Sequence, residues 1–295
     1  MKRPDVALLD DRGVVAVTGD DAGKLLQGII TNDMDLLAKQ PAIHAALLTP
    51  QGKILFEFIV ARAPGGYLLD VARAQVGDLI KRLTLYKLRA KVDIRDAGAD
   101  YRVIAMWGDP LQGQKEVSGT IAFTDPRLPA LGRRIIAEAR FADDVMSATG
   151  GAEATFAGYD AHRITLGIPE LGKDYASGST FAHEANLDAL KSVSFSKGCF
   201  VGQEVASRME HRGTARTRAV VVEGAAPLAP ASNITAGEAQ IGTVGSTADT
   251  RALAFVRLDR AEEADRKGQQ ITAGGIPLAI RRPGYLEPAT PAAAT

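Results

Sequence analysis

The chain has 295 residues, 46% of them hydrophobic and 24% charged, a composition suited to about two globular domains with a sizeable core. Its 35 basic residues balance 35 acidic ones, which argues against strong non-specific nucleic-acid binding, where surplus cations must displace counterions. The one cysteine, Cys199, rules out an internal disulfide, and alone it cannot supply the four ligands of a structural zinc or an iron–sulfur cluster.

Residues 1–9 do not read as a secretory leader, because Asp5, Asp10 and Asp11 interrupt any apolar stretch. No run approaches the roughly 20 apolar residues that span a bilayer. The expectation is a cytoplasmic protein without a membrane partner. Short strands are predicted at 6–9 and 14–17. Asp20 or Asp21 then caps a helix to about Ile30, with Leu25, Leu26, Ile29 and Ile30 as its buried stripe. Thr31, Asn32 and Asp33 form a polar elbow. Strands at 43–48 and 54–61 flank a Pro50-Gln51-Gly52 turn, and a third follows at 67–71. Val76, Leu79, Ile80 and Leu83 mark a helix over 73–85. Further strands are expected near 92–94, 103–107 and 134–137. Hairpins mixed with helices, without strict βαβ alternation, predict an α+β fold.

Residues 141–158 read as a helix plus linker, 159–166 as a helix ending at Gly167, and the stretch to 195 as a long loop. Another helix runs from Gly202 to Arg212, with Glu204 and Arg208 paired at i, i+4 and Gly213 as C-cap. Beyond it, strands at 220–222, 239–244, 252–257 and 276–280, separated by Gly/Pro/Ala-rich loops, predict a small β-barrel. The predicted lobes are 1–45 with 141–212, then 46–140, then a barrel over 213–288, with 289–295 as a disordered tail.

The densest chemistry lies in Ser196-Lys197-Gly198-Cys199-Phe200-Val201-Gly202-Gln203-Glu204. Two glycines free the backbone around a thiol. Lys197 and the following helix N-terminus would both favour the thiolate, the form that attacks and binds metal. The alternative is a buried, inert cysteine. Asn32 and Asp33 suit local hydrogen bonding as well as a ligand, and Lys53 alone would be a solvated hairpin lysine.

Two basic clusters stand out: Lys81, Arg82, Lys87, Arg89, Lys91 and Arg95, and Arg208, His211, Arg212, Arg216 and Arg218. They read as solvated faces or, if they converge, as an attractor for a small polyanion. The segment from Gly19 to Leu25 lacks the spacing and the final hydroxyl of a phosphate loop. The four histidines lack the spacing of a self-contained zinc site.

The motif Lys197-Gly198-Cys199-Phe200-Val201-Gly202-Gln203-Glu204 resembles the hallmark of the YgfZ family. Leu26 to Asp33, Leu48 to Leu55, Arg163 to Glu170 and Glu184 to Asp188 extend the resemblance in the right order. The chain is similar to the mitochondrial iron–sulfur maturation members of that family. The resemblance implies a three-lobed fold shared with the glycine-cleavage T-protein, arranged around tetrahydrofolate or a one-carbon derivative. It implies a role in iron–sulfur cluster assembly or repair, including for cluster-dependent tRNA-modifying enzymes. An A-type cluster carrier and cluster-dependent enzymes are the implied protein partners. Cys199 is then the key residue, as a thiol or as one ligand of a transient shared [2Fe-2S] cluster, with Lys197 tuning it. Gly198 and Gly202 shape the loop. Asn32, Asp33, Lys53, Glu57 and Arg163, with Gln203 and Glu204, are the candidate folate contacts.

The T-protein's acidic pair is matched here by Phe56-Glu57, and its pterin-holding glutamate by Thr165. Small losses of geometry are costly in group transfer, so the resemblance favours folate binding without classical aminomethyl transfer. The alternatives are an aminomethyl- or methyltransferase of the T-protein type and a non-catalytic adaptor for an A-type carrier.

Overall fold

The computed structural model describes residues 3–108, 119–213 and 215–286. The tail predicted at 289–295 lies outside them. The chain begins β1 (Asp5–Leu8), β2 (Arg12–Thr18), α1 (Ala22–Ile29), β3 (Ala42–Leu48), β4 (Ile54–Ala63), β5 (Gly66–Ala72), α2 (Val76–Lys87), β6 (Asp93–Asp96) and β7 (Tyr101–Trp107). It continues with β8 (Thr120–Thr124), β9 (Arg133–Glu138), α3 (Ala142–Ala148), β10 (Ala152–Glu153), α4 (Phe156–Thr165) and α5 (Gln203–Arg212). The last part holds β11 (Thr217–Gly224), β12 (Asn233–Ala236), β13 (Ala239–Ala248), β14 (Arg251–Arg257), α6 (Leu258–Arg266), β15 (Ile271–Ala273) and β16 (Ile276–Arg281).

These strands form two open sheets and one closed barrel, the α+β architecture expected. One sheet has the order β3-β4-β5-β2-β6, the other β10-β1-β7-β9-β8, and the barrel closes as β11-β14-β13-β12-β15-β16. The strands divide differently from the predicted lobe boundaries. A break at 45/46 would cut β3, and β2 to β6 all belong to one sheet, whereas β1 joins strands from 101 to 153. The sheet partners of β1 lie 96 to 147 residues further along the chain, a distance at which local periodicity carries no information.

Side-chain alternation explains how the layers stack. Val15 and Val17 on β2, with Phe56, Phe58 and Val60 on β4, pack under α1 and α2. Val14 and Ala16, with Ile59 and Ala61, face the other way and meet Ala7, Val103, Ala105 and Ile136 of the second sheet. The first sheet is therefore buried on both faces, as its near-continuous apolar strands require.

Polar residues on those inner faces cannot reach water, so they must pair. Arg12 bonds Asp70 at 2.6 Å and Glu170 at 2.9 Å. Arg134 reaches Asp70 at 3.4 Å and Asp125 at 3.2 Å, and Arg127 holds Asp125 at 2.8 Å. Burial alone would raise the Asp125 carboxyl, but Arg127 and Arg134 outweigh it and hold it well below the carboxylate range. The same contest at Glu170 is won by Lys173, Arg12 and Arg163. This chain of ion pairs fastens both sheets to the 168–174 segment.

Among the described residues, no helix is long and apolar enough to cross a membrane.

Candidate functional site

Cys199 is exposed, on the loop that precedes α5. Phe200 beside it is buried with Leu48, Ile54, Ala185 and Ala206, so one side of the loop is pinned while the thiol faces solvent. Gly202 starts α5 in left-handed backbone, φ +80°. A Cβ there would lie 2.5 Å from the Thr49 carbonyl oxygen and 2.9 Å from Leu48 Cβ. Glycine is therefore needed for the loop to rest on the β3–β4 turn. Gly198 is different: a Cβ there would meet nothing within 4 Å. The packing does not explain that glycine.

Lys197 does not face the thiol's open side. It is 8% exposed, and its ammonium donates to the carbonyls of Gln27, Ile30 and Asn32 at 2.7, 2.9 and 2.8 Å. Gln27 lies in the last turn of α1, where C=O groups have no helical partner of their own, and Ile30 and Asn32 follow its end. Burial pushes the ammonium down to about 8. Lys197 is thus the anchor of the motif loop, which corrects its expected role as a tuner of Cys199. Gln203 is half-buried at the start of α5, and Glu204 is exposed and paired with Arg208 at 2.6 Å, as the spacing predicted.

A cavity of about 730 Å³ is lined by residues from several of these elements. Its wall combines Asn32 and His44 beside β3, Asp125 and Arg127 between β8 and β9, Lys191 from the long loop, and Tyr285 beyond the barrel. Cys199 is not part of that wall.

The candidate folate contacts divide sharply. Asn32 lines the cavity, although its amide already donates to the His44 and Lys191 carbonyls at 2.7 and 2.9 Å. The other expected contacts, Asp33, Lys53, Glu57, Arg163, Gln203 and Glu204, do not line it. Asp33 accepts from the Gln27 amide and the Asp35 N–H, closing its own turn. Lys53 lies over the Phe181 ring, 5.5 Å from its centroid. Glu57 accepts from the Leu171 N–H and the Tyr175 hydroxyl, both at 2.6 Å, and burial raises its carboxyl despite them. Arg163 is fully buried and donates to Asp160, Ile168, Asp174 and Ser246, joining α4 to the barrel. Thr165 is exposed and bonds back to the Ala161 carbonyl. These side chains are spent on structure.

Sequence reasoning missed His44, Arg127 and Lys191. His44 Nδ1 sits 2.6 Å from Ser192 Oγ; burial and the nearby Arg127 push the imidazole down to about 3, so it is neutral. Lys191 has left-handed backbone, φ 55°, and no ion pair among the described residues. A lysine with free charge on a cavity wall suits an anionic group of a ligand.

The wall and the motif are joined by backbone. Asn32 lines the cavity and gives its carbonyl to Lys197. The Thr31 hydroxyl donates to the Ser192 carbonyl at 2.7 Å, and the Ser194 N–H donates to the Thr31 carbonyl at 2.9 Å.

The second basic cluster does not converge on this cavity: Arg218 is held by Asp188 at 2.6 Å and Arg208 by Glu204. His183, Asp188 and Glu210 lie within 4.8 Å of one another. Arg218 already neutralises Asp188 through both carboxylate oxygens, and His183 Nε2 lies 3.0 Å from Glu210 Oε2.

Residues 216–288 match the family described as the CAF17 C-terminal beta-barrel domain. The human iron–sulfur cluster assembly factor IBA57, mitochondrial, is 30% identical over 259 residues, covering 81% of this chain and 71% of that protein. The IBA57 homologue of Mycosarcoma maydis is 34% identical over 228 residues, covering 73% of this chain and 56% of its own length. The chain spans about half the length of the fungal relatives it matches. The crystal structure of glycine cleavage system aminomethyltransferase T from Bartonella henselae superposes with a TM-score of 0.76 at 16% identity, covering 97% of this chain and 87% of that one. That likeness gives the fold.

The expectation of a cytoplasmic protein is overturned by these relatives, which are named as mitochondrial proteins. The apparent lack of a leader in residues 1–9 does not report a compartment. Barrel, identity and fold together place the chain in the YgfZ/IBA57 family of T-protein-like proteins.

Proposed function

We propose that this protein assists iron–sulfur cluster assembly by donating Cys199 as one ligand of a [2Fe-2S] cluster shared with an A-type carrier, as an adaptor whose central cavity takes a tetrahydrofolate. The observation that carries the reading is the exposed thiol on an anchored loop outside the cavity. One thiolate is too few for a cluster, so a partner must complete the shell. An exposed position lets the partner's ligands approach. Cluster-dependent enzymes, tRNA-modifying ones among them, would be the recipients.

The cavity has the size and mixed lining of small-molecule sites, and its free Lys191 suits the glutamate carboxylate of a folate. Aminomethyl transfer of the T-protein type is not part of the proposal. Both Glu57 oxygens are occupied by Leu171 and Tyr175, and Thr165 is bonded to its own helix.

The test is complementation in cells lacking the native protein. Cys199→Ser should fold and bind folate but fail to restore cluster-enzyme activity. Full restoration would remove the shared-ligand reading, while folate binding is scored separately by thermal shift of the purified protein.

A further inference from the structure

We propose that the C-terminal tip of α2 is a docking surface for a partner protein that presents an apolar pocket with an acidic rim. The inference is independent of Cys199 and of the cavity. Leu85 and Leu88 are the most exposed large hydrophobic residues described, at 69% and 86%. They lie three residues apart at the end of α2. Between residues 76 and 92 the one acid is Asp78, which pairs with Lys81. Arg82, Lys87, Arg89 and Lys91 have no ion pair among the described residues. Two leucines thus stand beside four cations that form no ion pair among the described residues, while the Asp21 carboxylate at the tip accepts from the Lys91 N–H.

The backbone supplies the second observation. Leu88 has φ +46° and ψ −110°, a conformation that is costly for a residue with a Cβ. Its side chain is almost entirely in solvent, so the fold recovers little from that strain through burial. Strain held at an exposed residue points to function.

The tip is also clamped. The Lys91 N–H donates to Asp21 Oδ2 at 2.8 Å, the Asp21 N–H donates to the Lys91 carbonyl at 3.3 Å, and the Ala90 N–H donates to the Lys87 carbonyl at 2.8 Å. A backbone held in place before binding loses little further freedom when the leucine it carries enters a shaped pocket. A lipid surface is fluid and gains nothing from that fixed geometry, so the arrangement favours a protein partner. Cations around the apolar knob select an acidic rim and speed encounter.

The experiment uses the full chain carrying benzoylphenylalanine at position 88, photolysed in cells, with the crosslinked peptide identified by mass spectrometry. The expected result is one dominant heterologous adduct on an acid-rich segment, reduced at least about tenfold by Arg82→Glu with Arg89→Glu. Adducts insensitive to charge reversal, adducts only to a second copy of this chain, or no adduct would overturn the proposal. So would sedimentation of the wild type, but not of the charge-reversed protein, with phosphatidylserine-containing vesicles when no protein adduct forms. A folding control accompanies it: Leu88→Gly should raise the melting temperature by roughly 2 °C or more, because glycine tolerates the backbone. A fall in melting temperature would make Leu88 a structural residue and remove the argument from strain.

Discussion

The Lys197 ammonium lies 2.9 Å from the Ile30 carbonyl oxygen and so ties the cysteine loop to the end of α1. The same nitrogen reaches Gln27 and Asn32, which leaves it no free donor for the thiol two residues on. Lys197→Met should therefore act on loop order rather than on thiol chemistry. Three carbonyls would lose their donor, at a cost of about 2–3 kcal/mol. Hydrogen exchange should rise over residues 194–201, while alkylation of Cys199 near neutral pH should not slow. Alkylation slowed more than about fivefold would restore Lys197 as the group that tunes the cysteine.

The two motif glycines should behave unlike each other. Gly202→Ala places a Cβ 2.5 Å from a backbone oxygen in a left-handed conformation, and should cost about 2 kcal/mol or more. Gly198→Ala meets no atom within 4 Å and should leave the melting temperature within about a degree. If Gly198→Ala nonetheless abolishes complementation, a partner must approach the chain there. Equal melting temperatures for both variants would contradict the packing described for Gly202.

His44 sets a pH dependence. Its folded value is near 3 and its unfolded value about 6.5, so below pH 6.5 the unfolded chain takes up a proton that the native state does not. Stability should then fall by up to about 1.4 kcal/mol per pH unit between about 6.5 and 3. Asp125 and Glu170, both held low in the folded state, add to the loss only below about pH 4. Urea melts at pH 7, 6 and 5 should show the early decline in the wild type and a flatter profile in His44→Gln. A wild-type stability constant from pH 7 to 5 would mean His44 is not buried neutral.

Lys191 tests the cavity. Lys191→Ala removes an unpaired cation and should weaken tetrahydrofolate binding about three- to tenfold, with the difference shrinking as salt rises. Unchanged affinity would move the ligand's carboxylates elsewhere on the wall.

Much of this architecture could be read from the chain because apolar patterning was strong. Four of the barrel strands (β11, β13, β14 and β16), α2, and α5 with its Gly213 cap follow from local periodicity and turn chemistry. α6 did not, since its buried residues are Ala261 and Ala264, too small to make a visible stripe among acids and arginines. β12 and β15, at four and three residues, are too short to show alternation. Within the site, Glu57 could have been placed correctly. It alternates with Phe56 and Phe58 on a strand apolar on both faces, where a carboxylate must be buried and bonded. Lys197 could not, because its partners Gln27, Ile30 and Asn32 lie 165 or more residues earlier. Asx and lysine residues at turns drew attention to Asn32, Asp33 and Lys53. What separates them is that only Asn32 lines the cavity, and that is decided by tertiary packing.

The most direct measurement mixes the protein anaerobically with an A-type carrier loaded with [2Fe-2S], then records native mass and visible absorbance or circular dichroism. The wild type should give one carrier, one copy of this chain and one [2Fe-2S] cluster in a single complex. Cys199→Ser, with an unchanged melting temperature, should leave the cluster on the carrier alone. A cluster-bridged complex that forms equally well with Cys199→Ser would contradict the central claim.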